Sequence, residues 1–328
     1  MQILRRVVKG SVAVTVALGA GVGAGSAAAA NLTIVGYAVP EPAFAKLIPA
    51  FQKTPEGKGT TFSQSYGASG DQSRAVANGL PADIVNLSVE PDITRLVDAG
   101  LVSPRWANNK YRGIPASSLV VFAVRKGNPN KVRTWDDLLK PGTEIVTANF
   151  QTSGAARWNA LAAYGAALKR GLSADQARAY LTAMFKNVVA QEKSGRDATN
   201  AFASGRGNVL LTYENEAIQA QREGIALDYV IPPQTMKIEA PAAVVQTSPN
   251  RALATKFLNF FWTPKGQTIW GQAGFRPVDK TVLARFSRSL PKPKVVFDIN
   301  LFGGWKLAEK TFFTPGTGVA VVAARGGS

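Results

Sequence analysis

The chain has 328 residues, enough for about two domains with separate cores. It contains no cysteine and no histidine, so disulfides, thiolate nucleophiles, the usual zinc sites and serine–histidine–aspartate triads all lack their parts. The net formal charge of +17 favours anionic partners, but the basic residues are scattered and no nucleic-acid motif accompanies them.

Residues 1–30 read as an export signal. Arg5, Arg6 and Lys9 make a positive start, Val12 to Leu18 an apolar run, and Ala28-Ala29-Ala30 a small-residue cleavage pattern before Asn31. Those thirty residues hold three positive charges and no acidic residue, so cleavage near Ala30 leaves a net charge of +14. No cysteine follows the cleavage pattern, so the product is expected to be free and soluble outside the cytoplasmic membrane.

From Asn31 onward strands and helices alternate. Leu32–Val35 is a short apolar strand, and Phe44, Leu47, Ile48 and Phe51 share one face of a helix over Ala43–Phe51. Thr61–Gln64 is a second strand, followed by "SYGASGDQSR" (Ser65–Arg74) and a helix through Asn78. A third strand, Asp83–Leu87, precedes a helix over Asp92–Ala99 that Gly100 stops. The pattern is α/β, with a parallel sheet expected. Ser117–Val124, "SSLVVFAV", is the strongest apolar strand, and Arg125–Pro129 is a turn. A further series of strands and helices runs to about Asp228. Ile238–Gln246 is extended again, and a helix over Ala252–Trp262 follows. Two extended crossings without a loose linker predict two lobes, the first being discontinuous: 31–116 with 245–328, and 117–244.

Three helix starts share one grammar. "SYGASGDQSR", "TANFQTSGAARW" (Thr147–Trp158) and "SGRDAT" (Ser194–Thr199) each carry Ser-Gly just where a helix begins. Such a start presents unpaired N–H groups and a partial positive charge, and small residues leave room for an anion. None of the three matches a nucleotide loop, because "GASGDQS" lacks the lysine of the phosphate loop and no G-x-G-x-x-G follows a strand. A small-anion site of neutral donors is expected if the three converge. Trp158, Trp262, Trp270 and Trp305 read as core, and Glu214 and Glu216 of "YENEA" as a solvated helix start.

The motifs "SYGASGDQSRAVANGLPADIV", "LVVFAVRKGNP", "TSGAARWNALAAYG", "YENEA", "TPKGQ", "FRPVD" and "FGGW" occur in order over residues 31–312. On them the chain resembles the periplasmic sulfate-binding proteins of ABC importers, thiosulfate-binding relatives included. The resemblance implies a type II-like periplasmic binding protein fold with two strand crossovers as the hinge. It also implies a periplasmic location, a monomer, no cofactor and no metal, and a membrane permease as partner. Its ligand would be sulfate, held through the Ala38 N–H, the Ser69 hydroxyl and N–H, the Ser153 hydroxyl, the Gly154, Ala155 and Gly195 N–H groups, and the Tyr213 side chain. Arg157, Arg196 and Asp71 would stand behind these. Three positions depart from the family pattern: Tyr213 for tryptophan, Ala155 for glycine, and Asp71 for lysine, whose carboxylate is expected to face solvent. Thiosulfate or another tetrahedral oxyanion is the alternative ligand, and a secreted phosphoryl-transfer enzyme is the alternative class.

Overall fold

A computed structural model describes residues 30–316, 318 and 319. The export signal read at 1–30 lies outside them, apart from Ala30. Among the described residues no helix is long and apolar enough to cross a membrane.

The first stretch runs β1 (Asn31–Tyr37), α1 (Glu41–Gln52), β2 (Thr61–Gly67), α2 (Ser69–Ala77), β3 (Ile84–Asn86), α3 (Glu90–Asp98) and β4 (Ala116–Arg125). The second runs β5 (Ile145–Ala148), α4 (Gly154–Lys169), α5 (Ala174–Phe185), β6 (Val188–Glu192), α6 (Gly195–Ala203), β7 (Val209–Tyr213), α7 (Glu214–Arg222) and β8 (Leu227–Val230). The third runs β9 (Gln234–Glu239), β10 (Ala242–Val244), α8 (Arg251–Phe260), α9 (Pro264–Gln272), β11 (Arg276–Pro277) and β12 (Val295–Phe297).

These strands build two sheets. One has the order β10-β3-β1-β2; the other has β12-β9-β4-β7-β5-β6, with β8 and β11 also on β4. The first is parallel except for β10. The second is mixed: β4 runs antiparallel to β7, β8, β9 and β11. The parallel expectation therefore fails at β4. That strand enters from the first sheet, and β7, β8, β9 and β11, all much later in the chain, run opposite to it.

The central strands are covered on both faces, which explains why β4 reads as a continuous apolar run. In β4, Val120, Phe122 and Val124 join one buried cluster, while Leu119, Val121 and Ala123 join another, following the period of two. In β1, Leu32 and Ile34 face one cluster and Val35 the other. Helix α1 lays Phe44 edge-on against Phe261 and Trp270, with ring centroids 5.6 and 5.9 Å away.

The chain passes between the sheets where β4 begins and again between β9 and β10. It passes a third time between α9 and β12, which the sequence reading did not foresee. β12 pairs with β9, and Trp305 stands edge-on to Trp158 of α4 with centroids 4.7 Å apart. Part of 245–328, assigned to the first lobe from sequence, thus packs on the second sheet. Trp158, Trp270 and Trp305 are buried, as expected for core residues, while half-buried Trp262 donates its indole N–H to the Ile114 carbonyl.

Gly165 shows how tightly the returning segment is held, since a Cβ there would lie 2.4 Å from the Phe297 ring. Gly165→Val should force β12 away from α4 and lower unfolding stability by about 1–3 kcal/mol, read from denaturant midpoints.

Candidate functional site

The three Ser-Gly helix starts meet. α2 comes from the first sheet and α4 and α6 from the second, and together they bound one narrow cavity. Ala38, Ser69, Ser153, Ala155 and Gly195 line it, as do Tyr37, Ser88 and Ser194. Gly154 and Tyr213 stand just outside the lining. A Cβ on Gly154 would be 2.6 Å from Ser88 Oγ, and the Tyr213 hydroxyl lies 2.6 Å from that same oxygen.

The donor inventory follows from helix geometry. The first N–H groups of a helix have no intrahelical acceptor. Those of Ser69, Gly154 and Gly195 have none among the described residues. Ser153 caps α4 by accepting from the Ala155 N–H at 3.2 Å, and its own proton is not donated to any described residue. Ser194 caps α6, accepting from the Asp197 N–H and donating to the Asp197 carboxylate.

Two predicted donors are committed elsewhere. The Ala38 N–H donates to the Gly67 carbonyl at 2.9 Å, extending the β1–β2 ladder by one rung. The Ser69 hydroxyl donates to Asp92 Oδ2 at 2.6 Å and accepts from the Ser88 N–H at 2.8 Å. A hydroxyl has a single proton, so in this arrangement Ser69 can offer the cavity only its N–H. Asp92 is buried and bonded to Arg95 as well.

The glycines serve closure. The Gly70 N–H donates to the Thr152 carbonyl across the cleft at 2.9 Å, and a Cβ on Gly70 would sit 2.9 Å from that oxygen. Gly154 likewise lets α4 meet Ser88 and Val89. The missing side chains admit the opposite half of the molecule, where the sequence reading had reserved their space for an anion. The Trp158 indole donating to the Ser88 carbonyl at 2.9 Å is a further link between the halves. Asp71 also bridges them: its carboxylate faces outward, as expected, and pairs with Arg74 at 2.5 Å and with Lys193 at 3.3 Å.

The charged groups behind the cavity are paired. Arg157 meets Glu309 at 2.7 Å, and Arg196 meets Glu216 at 2.5 Å. Arg276 grips Glu214 through two bonds of 2.6 and 2.8 Å. The reading of Glu214 and Glu216 as a solvated helix start is corrected: both are buried, at 0% and 1% exposure. Burial pushes both carboxyls above the usual carboxylate range, and their arginines pull them back. What faces the cavity is therefore a set of amide and hydroxyl dipoles, with the buried charges of Arg196, Glu216, Glu214 and Arg276 paired behind it. Among the described residues no cluster of histidine, cysteine, aspartate and glutamate could hold a metal ion.

Sequence reasoning missed Tyr37, Ser88 and Asp92. Ser88 carried a legible signal, because "NLSVE" places a serine between a strand and a helix start, like the three motifs that were noticed. Asp92 had none, since its role arises from a contact with Ser69, 23 residues earlier.

Two lobes closed over a small polar cavity are the arrangement of a solute-binding protein. Residues 32–276 match the family model of the bacterial extracellular solute-binding protein. The chain belongs to this family. It is 41% identical over 299 residues to a sulfate-binding protein of Synechococcus elongatus, covering 87% of this chain and 84% of the relative. It is 36% identical to a thiosulfate-binding protein of Pseudomonas aeruginosa, over 88% of this chain and 90% of that one. The solved structure of the sulfate-binding protein SubI from Mycobacterium tuberculosis is similar with a TM-score of 0.84 and 47% identity, covering 86% of this chain and 98% of that one.

Two outcomes test the site's electrostatics. Glu216→Ala should strand the Arg196 charge and lower stability by about 3 kcal/mol, the low end for a broken buried pair because Arg196 keeps 21% of its side chain exposed. Asp71→Asn should leave the fold intact and speed ligand release by at most about fivefold in stopped-flow measurements, the effect fading at high salt.

Proposed function

We propose that this protein captures sulfate as a dianion between its two lobes and delivers it to the membrane permease of an ABC-type importer. The observation that carries the reading is the convergence of three helix N-termini on one cavity, where the N–H groups of Ser69, Gly154 and Gly195 have no other acceptor among the described residues. The proposed donors are the N–H groups of Ser69, Gly154, Ala155 and Gly195 and the hydroxyl of Ser153. The Ala155 N–H leaves its long bond to Ser153 when the anion arrives.

Ala38 keeps its ladder bond, and Tyr213 serves closure through Ser88. Arg157 and Arg196 act from behind by fixing Glu309 and Glu216. Neutral donors suit a carrier. They satisfy the anion's oxygens through aligned dipoles, and no buried counter-charge has to be abandoned on release. The sulfate- and thiosulfate-binding relatives support a divalent tetrahedral ligand, and the export signal supports a periplasmic site of action.

The chemistry also predicts what is refused. Sulfate offers only acceptors, whereas phosphate near neutral pH keeps a proton that needs one. No carboxylate lines the cavity, so hydrogen phosphate leaves its proton unpaired and should bind far more weakly. Titration calorimetry with sulfate, thiosulfate, phosphate and molybdate over pH 5–8 tests this. The expectation is sulfate affinity that is flat with pH and phosphate binding weaker by several orders of magnitude; equal affinities would refute the reading. Ser153→Ala removes one bond to a charged group and should weaken sulfate roughly 10- to 150-fold.

A further inference from the structure

Tyr37 closes β1 and lines the anion cavity. Only 4% of its surface is exposed, and its hydroxyl has no hydrogen-bond partner among the described residues. The hydroxyl is not sealed in the core but is accessible at the cavity, where a ligand can complete it. The neighbouring hydroxyls are mostly spoken for. Ser69 donates to Asp92, Ser194 to Asp197, and Tyr213 shares its proton with Ser88.

The Tyr37 and Tyr213 rings lie 6.5 Å apart at 59°. Tyr37 therefore stands on the side of the pocket where the resemblance implies a tryptophan donor, which this chain lacks at 213. We propose that the Tyr37 hydroxyl binds the anion and supplies the side-chain donor on this wall, leaving Tyr213 to tie the lobes together through Ser88. This rests on the oxyanion reading above. Burial, with Glu216 adding to it, holds the Tyr37 phenol far above its ordinary range. It therefore keeps its proton at any physiological pH and matches the neutral character of the other donors. A fully deprotonated oxyanion is the ligand that such a phenol completes.

Calorimetry of sulfate binding to the wild-type protein, Y37F and Y213F tests the assignment. Y37F should weaken binding roughly 10- to 100-fold, and by more than Y213F does. Y37F affinity within twofold of wild type, or a larger loss in Y213F, overturns it. Should Y37F fold poorly, the structure of the sulfate-loaded wild-type protein decides. A Tyr37 Oη within about 3.0 Å of a sulfate oxygen supports the role, and one beyond about 3.5 Å removes it. Failure of the wild-type protein itself to bind any oxyanion would instead sink the oxyanion reading, and this proposal with it.

Discussion

An amide at the start of a helix cannot be satisfied by its own helix, and burying it without a partner is costly. This chain places several such amides together and then shuts the space around them. Most other features of the site follow from that constraint. The walls must contribute small side chains or none, and nearby charges must be neutralised so that the dipoles set the local field. The two halves need direct contacts that hold when the interior is occupied. Gly70, Gly154 and the Ser88–Tyr213 pair meet the contact requirement, and the buried Arg196–Glu216 and Arg276–Glu214 pairs meet the charge requirement.

Ser88 is where these requirements intersect. Its N–H holds the Ser69 oxygen, its carbonyl takes the Trp158 indole, and its hydroxyl meets Tyr213. One residue from the first sheet thus touches both halves while orienting a serine of the cavity wall. Such convergence is expected where binding and closure must be the same event, because a ligand can shift the open–closed balance only through contacts that differ between the two states.

Much of this was legible beforehand because it was local. Strand and helix periods located the elements, the Ser-Gly starts located the cavity wall, and the doubly apolar run of β4 marked its central position. What sequence could not give is long-range. The Ile238–Gln246 segment reads as one extended stretch, yet β9 and β10 belong to different sheets. The burial of Glu214 and Glu216 depends on Arg276 and Arg196, 62 and 20 residues away. The Ser69 hydroxyl looked like a donor to the ligand because its acceptor, Asp92, is brought there by packing of α3 on α2. Composition tells which groups need partners; only the folded chain tells which partners they find.

The return of the chain through β11 and β12 has a mechanical consequence. Two parallel tethers would let one lobe both bend and twist against the other. The third passage lies beside the first two, since β11 pairs with β4 at Ala116 and Ser117, where β9 also pairs, and its continuation is anchored by the Phe297 ring against Gly165 and by Trp305 against Trp158. Three crossings side by side favour a rocking of one lobe on the other over a twist. Repeated opening then returns the three helix starts to the same mutual alignment, and a pocket assembled from two separate pieces keeps its shape from cycle to cycle.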